Sequence, residues 1–194
     1  MNRRDAIKQS FLIIGGTAIS TSVLSGLLVS CKTDTPLNWI PEFLAEDEAK
    51  TLTAALDVLL PSTGTPGALE AGVPEFWDQL AKNYLPAEDQ QKFKDMLAAM
   101  NSDSESKYGK TFPSISKEQQ TELLTAYDQA AFSEGEGEFA MNEFYEEFKE
   151  GACWAYCTSE RGAQEHLTFN FDPRAYKNCV SLEEAGGKVM VYPF

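Results

Sequence analysis

After residue 42, apolar side chains recur every three or four positions, which predicts amphipathic helices and not strands. The predicted helices cover residues 43–60, 73–84, 86–100, 117–131 and 138–158. From about residue 161 the pattern becomes irregular, apart from an apolar run at 188–192 that suits one short strand or hairpin. We therefore predict an all-α fold, a compact domain of about five helices over 42–194 with a loop-rich C-terminal tail.

The links between the predicted helices carry signals of their own. Pro61 ends the first helix, and the proline, glycine and hydroxyl residues that follow it up to Gly67 are typical of a tight turn. Residues 101–113 are polar and are predicted to form a connection. Ser116 is placed to cap the next helix, because its hydroxyl can accept a hydrogen bond from a free backbone N–H of the first turn.

The start of the chain has a different pattern, which is typical of an export signal. Arg3 and Arg4 are followed by an apolar residue and a lysine, the arrangement of a twin-arginine signal. A weakly apolar stretch over 11–30 then leads to Cys31 and resembles a bacterial lipobox, in which the cysteine is lipidated. We predict a signal peptide over 1–30, lipidation of Cys31, and a tether over 31–41.

The alternative for this segment is an uncleaved membrane-spanning helix, because residues 11–30 are just long enough to cross a bilayer. Both interpretations place the body of the protein outside the cytoplasm, in the periplasm or cell envelope, and at a membrane surface. A lipidated cysteine carries more than one acyl chain in bacterial lipoproteins, so we expect stable anchoring without a basic patch.

The charge of the chain restricts its partners. The formal net charge is −14, and the leader contributes more basic than acidic residues, so the body is more acidic still. Such a protein is poorly suited to bind nucleic acid or to adhere electrostatically to anionic lipid. We predict no nucleic-acid partner and favour a protein partner with a neutral or basic docking face.

Three cysteines remain after Cys31, and they leave several interpretations open. Cys153 and Cys157 are one helical turn apart, so either could form a disulfide with Cys179 in an oxidising compartment. Free buried thiols are the second possibility. A metal or redox site that includes His166 is the third, although the spacing matches zinc sites weakly.

The motifs of common catalytic sites are missing from the sequence. It has no nucleophile elbow, no phosphate-binding loop and no dinucleotide fingerprint. His166 is the only histidine, and a lone histidine is more often structural than catalytic. The paired carboxylates lie in hydrophilic runs, which is typical of solvated helix faces. We therefore predict no catalytic, cofactor-binding or metal-binding residues in this chain.

Three segments are more specific than a generic helical protein requires. They are residues 57–76, residues 108–112, and residues 156–162 followed by Pro173 and by 176–179. Their most specific parts are Leu-Pro-Ser-Thr-Gly-Thr-Pro-Gly-Ala at 60–68 and Thr-Ser-Glu at 158–160. Together with the twin-arginine leader, and in this order, they resemble the gluconate 2-dehydrogenase subunit 3 family over nearly the whole chain. Ala155 and Arg174 depart from the resemblance, since glycine is usual at both positions.

The resemblance implies an accessory role in an oxidoreductase complex. Members look like the small subunit of membrane-associated, flavin-dependent sugar or sugar-acid dehydrogenases. Their large partner is a glucose–methanol–choline-type flavoprotein that holds FAD, and a cytochrome c subunit often accepts the electrons. The small subunit then escorts the flavoprotein through twin-arginine export, stabilises it and tethers it. The alternatives are a stand-alone envelope lipoprotein that acts as a binding or scaffold module, and a small redox or metal protein.

Partner contact is expected at the two most specific segments. The candidate residues are Thr63, Thr65, Pro66 and Gly67 in the first segment, and Thr158, Ser159 and Glu160 in the second. The competing interpretation is that these residues supply turn and capping chemistry only. The many aromatic side chains suit a protein that packs against another, but we expect more than half of them in its own core.

Overall fold

The computed structural model describes residues 37–132, 144–169, 179, 181–184, 187–188 and 190–191. In this part of the chain five α-helices share one hydrophobic core, which confirms the predicted all-α class. The helices are α1 (Glu46–Leu59), α2 (Val73–Asn83), α3 (Ala87–Tyr108), α4 (Lys117–Phe132) and α5 (Phe144–Thr158). The export signal with Arg3 and Arg4, the lipidation residue Cys31, and residues 138–143 of the last predicted helix lie outside the described residues.

Helix α3 corrects the predicted connection at 101–113. It continues to Tyr108 because its polar side chains are used inside the fold. The Ser104 hydroxyl is buried and donates to the Lys110 carbonyl at 2.7 Å. The side-chain oxygen of Asn101 accepts a hydrogen bond from the Phe112 backbone N–H at 3.1 Å. These contacts fold the link that follows α3, including a 3-10 helix at Phe112–Ser114, back onto the helix.

The predicted cap of α4 is confirmed. The Ser116 hydroxyl accepts a hydrogen bond from the Gln119 N–H at 3.3 Å, and the Gln119 side-chain oxygen accepts one from the Ser116 N–H at 3.0 Å. This reciprocal pair satisfies two backbone donors that a helix N-terminus otherwise leaves without partners. Gln120, in the first turn, is buried and donates to the Phe112 carbonyl at 2.9 Å, which joins α4 to the 3-10 helix.

Aromatic rings form the centre of the core. Trp77 of α2 lies 5.5 Å from Phe93 of α3 and 5.4 Å from Phe148 of α5, between ring centroids. Phe144 is 5.7 Å from Phe93, so the cluster joins three helices through tilted and edge contacts that aromatic pairs prefer. Most of the prominent aromatic residues are therefore core residues, as expected from the sequence.

A buried carboxylate attaches the N-terminal segment to α2. Asp78 is 1 % exposed and accepts hydrogen bonds from the backbone N–H groups of Glu42 at 2.6 Å, Phe43 at 3.2 Å and Leu44 at 2.8 Å. Leu37 and Trp39 pack against the core. Two residues of the segment predicted as a tether, Leu37 and Trp39, therefore contact the domain.

The chain leaves α5 through a π-helical turn at Gly162–His166 and then forms a short strand, β1 (Thr168–Phe169). Strand β2 (Met190–Val191) falls within the apolar run at 188–192 and pairs with β1 in parallel. This confirms the predicted strand, and its parallel pairing excludes a hairpin between the two strands. The Lys188 ammonium donates to the Glu165 carbonyl at 2.7 Å, which attaches the tail to the π-helical turn. None of the helices in the described ranges has the length and apolarity needed to cross a bilayer.

Candidate functional site

The turn between α1 and α2 is shaped by close backbone approaches. The Ala68 N–H donates to the Leu60 carbonyl at 2.8 Å, which closes the loop at its base. Gly67 lies against this base, where a Cβ atom would come within 2.6 Å of the Ser62 nitrogen. Only glycine fits at that distance, so position 67 determines the path of the loop. At the tip, the Thr63 N–H donates to the Thr65 carbonyl at 3.3 Å.

The exit from α5 is shaped in a similar way. The Ser159 hydroxyl donates to the Tyr156 carbonyl at 2.7 Å and accepts a hydrogen bond from the Gly162 N–H at 3.0 Å. A Cβ atom at Gly162 would lie 2.0 Å from the Tyr156 carbonyl oxygen, so a side chain there would displace the turn. The Thr158 hydroxyl donates to the Trp154 carbonyl at 2.8 Å. Together these contacts replace backbone hydrogen bonds that the end of a helix leaves open.

The two segments meet, although 90 positions separate the residues that join them. The Tyr156 hydroxyl donates to the Pro66 carbonyl at 2.6 Å, and both residues are buried. The Arg161 guanidinium lies 3.5 Å from the Glu70 carbonyl oxygen, at the outer edge of the same junction. The structure therefore combines the two predicted contact segments into one continuous surface, which we call the junction surface. It comprises residues 61–70 and 154–166.

Charged groups at the rim of the junction surface stabilise one another. The Gly67 N–H donates to the Glu70 carboxylate at 2.9 Å, and this bond, with the Ser62 hydroxyl and the Arg161 charge, lowers the Glu70 pKa. Arg161 donates to Glu165 at 2.8 Å, which lowers the Glu165 pKa and raises that of Arg161. Burial raises the pKa of the Tyr156 phenol, so it remains a hydrogen-bond donor at neutral pH.

The predicted contact residues divide into two groups. Pro66 and Gly67 are buried and help to shape the loop, which is the role that the competing interpretation gives them. Thr65 and Ser159 are partly buried, and both belong to the hydrogen-bonded frame. The exposed members are Thr63, Thr158 and Glu160. Contact with a partner stays a prediction for all seven residues.

Sequence reasoning did not single out the apolar part of the junction surface. Trp154 is 51 % exposed, and its ring lies 5.8 Å from the ring of the partly buried Phe76. Leu69 is also exposed. The available signal was the spacing of Trp154 and Thr158, which are four residues apart and therefore share one face of the helix.

Cys153, Cys157 and His166 lie in or next to this surface. Cys153, Cys157 and Cys179 are free thiols in the structure, so none of the disulfides considered from the sequence is formed there. Cys153 and Cys179 are exposed, whereas burial raises the pKa of the partly buried Cys157. His166 is exposed, and its ring packs edge-on against Tyr156 at 5.8 Å. Disulfide formation in an oxidising compartment stays a prediction.

Metal chemistry receives no geometric support from the part of the chain that the structure describes. No group of three or more histidine, cysteine, aspartate or glutamate side chains is arranged there to hold an ion. The junction surface instead offers hydroxyls, one exposed indole and the Arg161–Glu165 ion pair beside a hydrogen-bonded loop. This combination suits recognition of another protein.

Comparison with known proteins identifies one family. The family model described as gluconate 2-dehydrogenase subunit 3 matches residues 46–174. The match begins at the first residue of α1 and includes all of the described helices and the junction surface. No curated protein and no solved structure matches the chain significantly.

Proposed function

Because this chain belongs to the gluconate 2-dehydrogenase subunit 3 family, we propose that it is the non-catalytic accessory subunit of a membrane-bound, flavin-dependent sugar or sugar-acid dehydrogenase. The observation that carries the proposal is the extent of the family match, which covers the helical body from residue 46 to residue 174. The catalytic partner in this proposal is a glucose–methanol–choline-type flavoprotein that holds FAD, and a cytochrome c subunit accepts the electrons.

The junction surface is the part of the molecule that we assign to the flavoprotein. Trp154 supplies an exposed aromatic anchor of the kind that dominates binding energy at interfaces. Thr158 lies one turn further along α5, and the Arg161–Glu165 pair forms a polar rim. The frame beneath these residues is fixed by the Tyr156–Pro66 hydrogen bond. A rigid frame limits the conformational entropy that binding costs.

The leader extends the proposal to export and anchoring. The Arg3-Arg4 pair directs the folded complex through the twin-arginine route, so that a flavoprotein without its own signal can travel with this subunit. Lipidation of Cys31 then holds the complex at the periplasmic face of a membrane. Export and anchoring need no basic surface, which agrees with the net charge of −14.

Co-expression tests the escort role. The flavoprotein encoded beside this subunit is expressed with the native chain, with Arg3→Lys/Arg4→Lys, or with Lys8→Arg as the matched control. We expect dehydrogenase activity in the periplasmic membrane fraction with the native and control chains, and loss of it with the double lysine variant. Equal periplasmic activity with the double variant would refute the escort role.

Copurification tests the junction surface. Trp154 and Phe132 are both 51 % exposed, but Phe132 lies at the end of α4. We expect Trp154→Ala to weaken flavoprotein binding about 30-fold, because loss of a central aromatic anchor costs about 2 kcal/mol. Phe132→Ala is the control for general loss of apolar surface. Equal retention of the flavoprotein by both variants would exclude this surface as the docking site.

A further inference from the structure

The exposed face of α5 carries a carboxylate that has no counter-ion. Glu150 is exposed, and among the residues that the structure describes it takes part in no ion pair. The lysine beside it in the sequence does not neutralise it, because the Lys149 ammonium lies 2.7 Å from the Asp128 carboxylate of α4. The negative charge of Glu150 is therefore left to the solvent or to another molecule.

The acidic residues of α5 differ in what the helix does for them. Glu146 and Glu147 lie in its first turn, where the helix dipole favours negative charge. Glu150 comes three and four positions after them, beyond the first turn. Like charges at these spacings share a helix face and repel one another. The charge of Glu150 is therefore unfavourable for the isolated subunit, which points to a use outside the fold.

The next turn of the same face carries the exposed indole of Trp154. Residues four positions apart in an α-helix have neighbouring side chains, so the Glu150 carboxylate and the Trp154 ring lie side by side. The Trp154 ring is 51 % exposed, and its centroid lies 5.8 Å from that of Phe76. Phe76 of α2 therefore supports the ring, while its exposed part is open to another molecule.

An unpaired carboxylate beside an open indole suits a guanidinium group. The planar guanidinium stacks on aromatic rings and pairs with a carboxylate through two parallel N–H donors. It is also more weakly hydrated than the ammonium group of lysine, which is a compact point charge. Arginine is accordingly enriched at protein interfaces, and with tryptophan it dominates the binding energy of many of them.

We propose that Glu150 and Trp154 together bind an arginine side chain of the flavoprotein. The inference rests on the proposed function, which assigns that partner to the junction surface. Glu150 lies one turn before Trp154, so it extends the docking surface along α5. Charge complementarity favours this occupant, because the net charge of the chain is −14 and the exposed face of α5 adds three glutamates. Binding then gives the repelled carboxylate its counter-ion.

Affinity measurements at low and high ionic strength test the arginine site. The flavoprotein encoded beside this subunit is titrated with the full native chain, with Glu150→Gln, and with Glu146→Gln as the matched control on the same helix. We expect Glu150→Gln to weaken binding about tenfold, since a charge-assisted pair is lost, and Glu146→Gln to weaken it less than about twofold. The Glu150→Gln effect should persist at high ionic strength, because salt screens a pair that is desolvated against the indole less than exposed charges.

A double variant tests whether the carboxylate and the indole hold the same group. Trp154→Leu keeps apolar area but removes the ring, and it is combined with Glu150→Gln. We expect the combined loss of affinity to be smaller than the product of the two single losses, because both changes act on one guanidinium. Urea denaturation of the subunit alone should show Glu150→Gln at least as stable as the native chain, since repulsion on the helix face is removed.

The possible failures are distinct from one another. Absence of flavoprotein binding by the native chain refutes the accessory role and, with it, this proposal. Native binding with equal losses for Glu150→Gln and Glu146→Gln, or with multiplicative losses in the double variant, overturns the arginine site alone. Carbodiimide coupling of Glu150 to a flavoprotein lysine would also overturn it, because a guanidinium does not react. Self-association that Glu150→Gln abolishes would assign this face to a second copy and overturn it as well.

Discussion

Two irregular segments of this domain are fastened to helices, and they are fastened in different ways. At the N-terminus, the Asp78 carboxylate is buried and accepts hydrogen bonds from three consecutive backbone N–H groups of residues 42–44. At the junction surface, the neutral Tyr156 hydroxyl donates one hydrogen bond to Pro66, and the rest of the fit depends on Gly67 having no side chain. The first fastening therefore consists of hydrogen bonds to a carboxylate, and the second depends mainly on close backbone packing around Gly67.

The difference indicates what each segment is for. A buried carboxylate with three donors is strong because charge-assisted hydrogen bonds exceed neutral ones, but it leaves no polar group for another molecule. The loop at the junction surface is held from below, and the exposed Thr63 and Thr158 remain on the outside. The charged fastening therefore serves stability, whereas the steric fastening presents a surface.

Removal of the carboxylate should have the largest effect on stability. We expect Asp78→Ala to lower the free energy of unfolding by about 3–5 kcal/mol, because three backbone N–H donors lose a buried charged acceptor. Urea denaturation followed by circular dichroism measures the change. Asp78→Asn is the matched control and should lose less, since its amide oxygen still accepts. A loss for Asp78→Ala no greater than that for Tyr156→Phe would remove the distinction between the two fastenings.

A methyl group at position 67 tests the steric fastening. We expect Gly67→Ala to cost about 2–3 kcal/mol of unfolding free energy, because the Cβ atom would lie 2.6 Å from the Ser62 nitrogen and the loop must move. Thr63→Ala, at the exposed tip of the same loop, should leave the unfolding free energy almost unchanged. If both variants unfold at the same urea concentration as the native chain, the loop is not held by close approach.

The hydroxyl of Tyr156 should contribute less to the free energy of unfolding than the Asp78 carboxylate or the close packing at Gly67. We expect Tyr156→Phe to cost about 1 kcal/mol at neutral pH, the usual net value of one neutral hydrogen bond. Burial raises the Tyr156 pKa above its ordinary value of 10.0, so its contribution is complete below pH 10.0 and is lost as the pH rises through the higher folded pKa. We expect the difference in unfolding free energy between the native chain and Tyr156→Phe to be smaller at alkaline pH than at neutral pH. The control Tyr84→Phe, at an exposed tyrosine, should differ little from the native chain at either pH.

Loss of the Glu70 carboxylate at the rim should change the free energy of unfolding least. Its contribution depends on pH in the opposite direction to that of Tyr156. The Glu70 pKa lies below its ordinary value of 4.5, chiefly because the Gly67 N–H donates to the carboxylate. Its stabilising contribution is present above pH 4.5 and is lost as the pH falls through the lower folded pKa. Glu70→Gln should therefore unfold slightly earlier than the native chain at neutral pH and together with it in strong acid. A difference that grows on acidification would contradict this assignment.

Periodicity was sufficient for the helices and insufficient for the polar contacts between them. The apolar spacing placed all five helices, because each buries one face against a common core. It failed at 101–113, where the polar residues Asn101 and Ser104 are turned inward to bind the following link. A polar stretch is interpreted as a loop unless its hydrogen-bond partners are known, and the pattern of apolar residues does not indicate that Lys110 and Phe112 fold back onto the helix.

The junction surface was predictable only in pieces. Turn-forming residues marked Gly67, and the end of a helix marked Thr158, but no spacing in the sequence indicates that Tyr156 meets Pro66. The Asp78 fastening was missed for the same reason. Its single sequence signal is an acidic residue beside Trp77 and Ala81 on the buried face of α2, and the donors lie more than thirty positions away.

The hydrogen bond between Tyr156 and Pro66 also has a consequence for the order of folding. Its partners are 90 residues apart, so it closes one of the longest loops in the domain and cannot form from local structure alone. The junction surface exists only after α5 has docked beside the first turn of the domain. A partner that binds both segments of that surface would bind the folded subunit and not a subunit in which α5 has yet to dock. Formation of the complex would then depend on completed folding.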